Sequence, residues 1–205
     1  METITRPTLE CGVAARALDA RSESGDRHVI CPFPGGALVG VLDGLGHGRE
    51  ASAAALLAAS ILEEHAQEPV SSLFRRCHER LRFGRGVVMS LASYRRADET
   101  MTWMGVGNVE GVLLRAPDRG DVAQASLTLR AGVLGVHLPD FATEILPVVR
   151  GDTLVLATDG IRGDFSQGIG RSLSPQMIAD NILGRWRKGT DDALVLVARF
   201  SGGAP

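Results

Sequence analysis

Aspartates recur in this sequence at the ends of apolar, strand-like runs. Asp43 ends the run ALVGVLDG, Asp159 lies near the end of TLVLATDG, and Asp191 and Asp192 begin DDALVLVARF. Asp26 closes the segment SESGD, directly before another strand-like run. Aspartate is unfavourable inside strands, so its repeated placement at their ends needs a physical reason.

Each Asp-Gly pair taken alone is explained by turn chemistry, because aspartate caps its own backbone and glycine tolerates unusual backbone angles. The RGD at 150–152 is interpreted in that way, as an ordinary turn. As a group, carboxylates brought to one place would repel one another unless a cation lay among them. Hard oxygen ligands without histidine suit Mg²⁺ or Mn²⁺. Two such ions can together activate a water for attack on phosphorus.

Composition describes an ordinary globular protein. The chain has 205 residues, of which 44% are hydrophobic and 22% charged, and its formal net charge is −2. These values predict a single domain over 1–205, with a core over roughly 8–200 and a frayed tail at 201–205. The weakly acidic balance argues against a nucleic-acid partner, since such proteins usually carry a basic excess.

The cysteines and the N-terminal segment indicate a cytoplasmic protein. Cys11, Cys31 and Cys77 are widely spaced and form no C-x-x-C pair, so we interpret them as free thiols in a reducing compartment. The segment METITRPTLECG has no apolar core typical of a signal peptide. The longest apolar segment, near 51–62, is too short to span a bilayer, so no membrane partner is expected.

The elements that must position the aspartates follow from the hydrophobic patterns. Helices are predicted at 49–66, at 71–83 with Ser71 as N-cap, and at 174–187 with Ser174 as N-cap and Pro175 at the first helical position. Strands are predicted at 8–18, 28–33, 36–43, 86–94, 100–107, 109–116, 122–130, 142–149, 153–160 and 191–200. Since the first two helices are adjacent and not interleaved with strands, the pattern favours an α+β fold with antiparallel sheets flanked by helices.

The first predicted helix is assigned a core-facing side by helical spacing. Its members are Ala53, Leu56, Leu57, Ser60, Ile61 and His65.

Four motifs in a fixed order carry a family resemblance. The segments VLDGLGHG, LATDGI and GTDDALVLV, with SGD upstream, resemble the metal-dependent serine/threonine protein phosphatases of the type 2C superfamily. The likeness covers roughly residues 10–200 and is strongest to the bacterial SpoIIE/RsbU branch, in particular to its short RsbX-type members. This resemblance implies a β-sandwich of two antiparallel sheets flanked by helices, an αββα arrangement.

The resemblance also implies a two-metal centre that binds Mn²⁺ or Mg²⁺. Asp43 would bridge the two ions, and the carbonyl of Gly44 would bind the second. Asp159 and Asp191 would complete the ligand shell of the first, so that these two and Asp43 are the expected catalytic residues.

The remaining site residues are assigned by the same resemblance. Asp26 would hold a metal-bound water, and Asp192 would support the centre without ligating. Arg21 is either a phosphate-binding residue or a solvated arginine at a strand end. By its place in the same turn, His47 could donate a proton to the leaving oxygen, as histidine commonly does in catalysis, or could merely pack beside the site.

The implied activity is hydrolysis of phosphoserine or phosphothreonine on a protein. Phosphorylated STAS-domain proteins of a stressosome, of the RsbR and RsbS type, are the expected substrates, with an RsbV-like anti-sigma antagonist as the alternative. Two other functions remain open at this stage, which are a catalytically inactive regulator-binding relative and a Mg²⁺ hydrolase of small phosphoesters. The presence of all four expected ligand aspartates favours the enzyme.

Overall fold

The chain forms eleven strands and three helices within the residues that the computed structural model describes, which are 9–19, 23–117, 124–140, 142–170 and 172–202. In chain order these elements are β1 (Leu9–Arg16), β2 (Asp26–Phe33), β3 (Gly36–Gly44), α1 (Arg49–Glu64), α2 (Val70–Leu81), β4 (Val87–Arg95), β5 (Thr100–Val106), β6 (Glu110–Leu114), β7 (Gln124–Ser126), β8 (Leu129–Arg130), β9 (Glu144–Pro147), β10 (Thr153–Ala157), α3 (Pro175–Trp186) and β11 (Ala193–Phe200).

The strands form two sheets. The first has the order β1-β11-β10-β6-β7 and is antiparallel throughout the described strands. The second has the order β2-β3-β4-β5-β8, and β9 also pairs with β5. Within this sheet the short β5–β8 ladder is parallel, and the other described pairs are antiparallel.

Three apolar clusters hold the layers together. The central cluster lies between the two sheets and includes the fully buried Trp103, Tyr94 and Phe200. A second cluster fills the space between the second sheet and α1 and α2, and a third lies between the first sheet and α3. Burying one large apolar side chain is worth about 1.5–3 kcal/mol, so these clusters dominate stability. The layers run helix, sheet, sheet, helix, which confirms the predicted α+β sandwich.

Strands covered on both faces explain why the sequence shows uninterrupted apolar runs. In β4, every residue from Val87 to Tyr94 is buried, because one face meets the other sheet and the other face meets α1 and α2. None of the described helices has the length and apolar character that a membrane crossing requires.

Two helix starts differ in how well the sequence predicts them. Helix α3 begins as expected, with Pro175 in its first turn and the Ser174 hydroxyl accepting a hydrogen bond from the Met177 amide at 3.3 Å. The prediction that Ser71 caps α2 is wrong. The helix begins at Val70 after Pro69, whose extended backbone and carbonyl start the turn without a side-chain cap.

The predicted core face of α1 is also wrong, except at Ile61. Leu56 and Leu57 are 50% and 37% exposed, and His65 is only half-buried. The buried face is instead rich in small residues and consists of Ala51, Ser52, Ala54, Ala55, Ala58, Ala59, Ile61 and Leu62. Small side chains let the helix axis approach the sheet closely, and the two leucines are turned outward as a result.

The predicted strand at 122–130 is divided between the two sheets. Gln124–Ser126 pairs with β6 in the first sheet, whereas Leu129–Arg130 pairs with β5 in the second. The described part of this segment therefore crosses from one layer to the other, which a single period of alternation cannot reveal.

Candidate metal centre

Asp26 and Asp43 face one another at the ends of two neighbouring strands. They are directly paired residues in the antiparallel β2–β3 ladder, so their side chains lie on the same face with Cβ atoms roughly 4.5–5.5 Å apart. Asp26 is 5% exposed and Asp43 is half-buried. The second sheet thus places two carboxylates side by side at one end of the sandwich.

Thr158 connects this pair to the first sheet. Its hydroxyl donates a hydrogen bond to Asp26 Oδ2 at 2.8 Å and accepts one from the Leu194 amide at 2.9 Å. Thr158 directly follows β10, and Asp159 is the next residue. The end of β10 therefore delivers Asp159 to the same end of the sandwich as Asp26 and Asp43.

Asp159 has a further partner from a separate turn. The side-chain amide of Asn108, in the turn between β5 and β6, donates a hydrogen bond to Asp159 Oδ2 at 2.8 Å. Asp191, which is exposed, accepts a hydrogen bond on Oδ1 from the Asp192 amide at 2.8 Å.

Asp192 is buried and braces the chain that leads into β2. Its Oδ1 accepts a hydrogen bond from the Leu18 amide and its Oδ2 accepts one from the Gly25 amide, both at 2.7 Å. Both oxygens are therefore engaged by backbone donors. The structure thus brings together five carboxylates, here called the aspartate rim, which are Asp26, Asp43, Asp159, Asp191 and Asp192.

Burial and mutual repulsion raise the pKa values of Asp26 and Asp43, the two paired aspartates of the rim. Burial raises the pKa of Asp26 to about 7, although the hydrogen bond from Thr158 acts in the opposite direction. Burial raises the pKa of Asp43 to about 8, and the charge of Asp26 adds to that increase. Both pKa values are raised further by the remaining carboxylates of the rim.

Asp159 shows the same effect at the more open side. Burial raises its pKa and the charge of Asp191 raises it further, whereas Lys188 lowers it.

The glycines after two of the aspartates are required by close packing. A Cβ on Gly44 would overlap the carbonyl oxygen of Ala51 in α1, and a Cβ on Gly160 would overlap the carbonyl oxygen of Asp192. Two later glycines of the same turn, Gly46 and Gly48, take positive φ angles of 86° and 79°. In the turn from Asp43 into α1, a side chain would thus clash at Gly44 and would strain the backbone at Gly46 and Gly48.

The donor set of the rim fits divalent cations. Among the described residues, no arginine, lysine or histidine forms an ion pair with Asp26 or Asp43. Buried carboxylates without a basic partner are costly, and hard oxygen donors are the ligands that Mg²⁺ and Mn²⁺ prefer. Within the same residues, no three His, Cys, Asp or Glu side chains already converge at ion-binding spacing. The rim is therefore a set of neighbouring carboxylates rather than a closed ligand cage.

His47 and Arg21 are the two remaining candidate site residues, and the structure describes only the first of them. His47 is exposed in the turn that follows Asp43. Arg21 lies outside the described residues.

Three residues that support the rim were missed or set aside at the level of sequence. Asn108 lies in a turn between strands, where turn chemistry alone accounts for an asparagine, and Thr158 stands inside the motif LATDGI, which draws attention to Asp159 only. The Arg27 guanidinium donates hydrogen bonds to the carbonyl oxygens of Ser24 and Asp26 at 2.9 and 2.8 Å. It also donates to the Ser52 hydroxyl of α1 at 2.8 Å. Adjacency to a rim aspartate, at Asp26 or Asp159, was the available signal for two of them.

The fold and the aspartate rim match a known class of domain, as comparison with known proteins shows. Residues 34–201 match the family model of stage II sporulation protein E, SpoIIE. The chain therefore belongs to the SpoIIE family.

Individual relatives refine that membership. The chain is 22% identical over 180 residues to the phosphoserine phosphatase RsbX of Bacillus subtilis strain 168, covering 87% of this chain and 84% of RsbX. A solved structure of RsbX in complex with magnesium matches with a TM-score of 0.83 at 21% identity, covering 98% of each chain.

A second solved structure comes from work on the bacterial stressosome as a modular system adapted to control secondary messenger signalling. It matches with a TM-score of 0.83 at 26% identity, covering 93% of this chain and 99% of that one. Further solved structures with the same fold are the SiaA-PP2C domain of Pseudomonas aeruginosa and the serine/threonine phosphatase PstP/Ppp of Mycobacterium tuberculosis, each with a TM-score of 0.75. The chain is thus a SpoIIE-family protein and a homologue of the phosphoserine phosphatase RsbX.

Proposed function

We propose that this protein is a metal-dependent phosphoserine and phosphothreonine protein phosphatase, formed by a single domain over residues 1–205. The observation that carries the proposal is the aspartate rim. Asp26 and Asp43 are paired across two strands, lack a basic partner among the described residues and have pKa values raised to about 7 and about 8. Homology to the phosphoserine phosphatase RsbX supports the same activity.

The proposed ligands divide between two ions. Asp43 would contribute to holding both ions, the Gly44 carbonyl would serve the second, and Asp159 and Asp191 would serve the first. When bound, two Mn²⁺ or Mg²⁺ ions supply Lewis-acid chemistry that activates water and neutralises charge on the phosphoryl group.

The chain's own residues orient the reactants. Asp26 accepts a hydrogen bond from Thr158, which leaves its Oδ1 to orient the attacking water. Asn108 fixes one oxygen of Asp159, which leaves the other oxygen to serve an ion. We further propose that His47, exposed beside the turn, and Arg21 bind the phosphoprotein substrate.

The proposed substrates are phosphorylated STAS-domain proteins of the RsbR and RsbS type, dephosphorylated in the cytoplasm as negative feedback on a stress-response sigma-factor pathway. Support comes from the similarity to RsbX and to the stressosome-related structure at 26% identity. A phosphatase of an RsbV-like antagonist would use the same rim and is the neighbouring alternative.

The deciding experiment measures phosphate release from phosphorylated RsbS-type and RsbR-type STAS proteins, with Mn²⁺, with Mg²⁺ and with EDTA. We expect release that requires metal and falls at least ~10³-fold in Asp43→Asn, because the bridging carboxylate is lost. Asp98→Asn is the matched control, since Asp98 is an exposed aspartate in the turn after β4, at the far end of the second sheet from Asp43. Release that survives chelation, or near-normal turnover by Asp43→Asn, would contradict the metal centre.

Folded, metal-loaded protein that releases no phosphate from either STAS protein, from an RsbV-type phosphoprotein or from p-nitrophenyl phosphate would contradict the enzyme itself. Release from the RsbV-type protein alone would select the neighbouring alternative.

A further inference from the structure

A groove between α1 and the end of α2 lies outside the metal centre and has no assigned role. It has a volume of about 750 Å³. One wall is a face of α1 at helical spacing and the other is the segment that ends α2; together, the α1–α2 groove is lined by Glu50, Ala53, Ala54, Leu57, Arg80, Leu81, Phe83, Gly84 and Arg85.

The groove exposes apolar surface that a folded protein normally buries. Phe83 has a relative exposure of 101%, which means that its ring makes almost no contact with the rest of the chain. Leu57 is 37% exposed on the opposite wall, and Val136, in the turn packed against Leu81 through Gly135, is 71% exposed. Isolated exposed apolar residues are normal, but neighbouring ones beside a groove mark interaction surfaces.

Exposed arginines lie along the end of α2 beside the groove, although the chain as a whole has a net charge of −2. Arg80 and Arg85 line the groove together with one acidic residue, Glu50, and Arg82 lies between them in the sequence. Arg80 and Arg82 are exposed and form no ion pair within the described residues. An aromatic ring flanked by unpaired arginines complements an acidic surface that presents an apolar side chain.

The groove is continuous with the turn that leaves the metal centre. The Arg85 guanidinium forms an ion pair with Glu50 of α1 at 2.8 Å and approaches the carbonyl oxygen of Leu45 at 3.5 Å. It also lies against Gly46. Leu45 and Gly46 directly follow Asp43 and Gly44, so the groove adjoins the turn that leaves the aspartate rim.

We propose that the α1–α2 groove is the docking surface for the protein substrate, and that it holds an acidic, apolar-tipped face of the folded phosphoprotein outside its phosphorylated residue. This inference rests on the proposed phosphatase function and assigns the substrate contacts that lie beyond the phosphate. Phe83 supplies the apolar anchor, and Arg80 and Arg82 attract the acidic surface around it. Residues of this kind affect recognition of a whole protein without affecting a small phosphoester.

The test combines equilibrium binding and turnover. Fluorescence anisotropy measures binding of a labelled, phosphorylated RsbS-type STAS protein in EDTA, where no hydrolysis occurs. Steady-state kinetics with Mn²⁺ measures the same phosphoprotein and p-nitrophenyl phosphate. The variants are Phe83→Ala, Arg80→Glu and, as the matched control, Met177→Ala, whose exposed side chain lies on α3 in the opposite helical layer.

We expect Phe83→Ala to weaken binding and raise KM for the phosphoprotein about tenfold or more, with kcat/KM for p-nitrophenyl phosphate within twofold of the parent. Arg80→Glu should weaken binding by a similar factor and reduce its dependence on NaCl concentration, because an attractive charge is reversed. Met177→Ala should match the parent protein in every measurement.

Several outcomes would overturn the docking proposal. One is binding by Phe83→Ala equal to that of the parent, and another is a parent protein that does not bind the phosphoprotein at all. A third is sedimentation showing a dimer that Phe83→Ala dissociates while binding of the phosphoprotein is unchanged, since the groove then holds a second copy of this chain. A parent protein that binds through Phe83 but hydrolyses neither substrate would instead contradict the proposed function and leave the docking surface supported.

Discussion

Asp152 and Asp26 are both buried aspartates, and they lie beyond opposite ends of β10. Asp152 accepts hydrogen bonds from the Ala116 amide at 2.7 Å and the Val149 amide at 3.2 Å, and it forms an ion pair with Arg115 at 3.0 Å. Asp26 accepts one side-chain hydrogen bond, from Thr158, and faces three other carboxylates that raise its pKa.

The two ends of β10 therefore treat a buried aspartate in opposite ways. At the first end the protein satisfies a buried charge with its own donors, which stabilises the fold. At the second end it gathers like charges and leaves them unmatched, which costs stability but creates a demand for a cation. Sites that bind or react commonly violate the rules that the rest of the fold obeys.

The largest effect is expected at Asp152, the buried aspartate whose charge the protein's own donors satisfy. Replacing Asp152 by Ala should lower the free energy of unfolding by about 3–5 kcal/mol, because Arg115 and two amides lose their acceptor. The kcat of the remaining folded protein should stay within about twofold of the parent. Urea unfolding followed by circular dichroism measures the first effect. The control Asp98→Ala removes an exposed aspartate and should change stability by less than about 0.5 kcal/mol.

A loss of unfolding free energy below about 1 kcal/mol in Asp152→Ala would mean that the ion pair and hydrogen bonds of Asp152 add little to stability. Asp152 and Asp26 would then not differ in the way described.

The second prediction concerns pH, and it applies to the rim. The folded pKa values of Asp26 and Asp43 are about 7 and about 8, above the ordinary value of 3.8. The native state therefore holds protons that the unfolded state releases, and this contribution to stability is full below pH 3.8 and is lost as pH rises through about 7 to 8. Because each pH unit in this range is worth ~1.4 kcal/mol per group, metal-free protein should lose several kcal/mol from this source between pH 5 and pH 8.5.

The measurement is the difference in unfolding free energy between the parent and Asp43→Asn in EDTA, followed across that pH range. The variant should be the more stable of the two at pH 8.5 and should lose the advantage at pH 5. Adding Mn²⁺ should stabilise the parent most at high pH, since ion binding requires the ionised carboxylates. If the difference in unfolding free energy between parent and variant does not change with pH, burial and repulsion do not destabilise the ionised form of Asp43.

The smallest effect is expected at Asn108, which touches the rim only through Asp159. Asn108→Ala should lower kcat and raise the Mn²⁺ concentration for half-maximal activity, each by about tenfold, because the hydrogen bond that orients the carboxylate is lost. Asn181→Ala, at an exposed position on α3, is the control and should have no effect. Full activity with unchanged metal dependence in Asn108→Ala would show that Asp159 needs no orientation.

The sequence was most informative where one residue type recurred in one kind of place. Aspartates at strand ends predicted the members of the rim, because strands of a sandwich end together at its rims. The prediction of an ordinary turn at 150–152 missed the buried ion pair of Asp152, since Arg115 is 37 positions distant and no local pattern links them.

The sequence patterns also failed to predict how α1 packs and where α2 begins. Helical spacing alone favoured Leu56 and Leu57 as core residues of α1, yet the sheet beneath admits alanines and turns the leucines outward. Ser71 is a good capping residue by type, but Pro69 starts α2 earlier. In both cases the deciding contact belongs to tertiary structure, which overrides local propensity.

The hydrogen bonds that Asp192 accepts also determine when, during synthesis of the chain, the aspartate rim can be completed. They join it to the Leu18 and Gly25 amides across 174 and 167 positions. Ribosomes add about 5–20 residues per second, so roughly 10–30 s separate the synthesis of Asp26 from that of Asp192. During that interval a nascent chain carries Asp26 and Asp43 without the brace that holds them. We therefore expect that no chain can act on a phosphoprotein before β11 has left the ribosome and paired with its neighbouring strands.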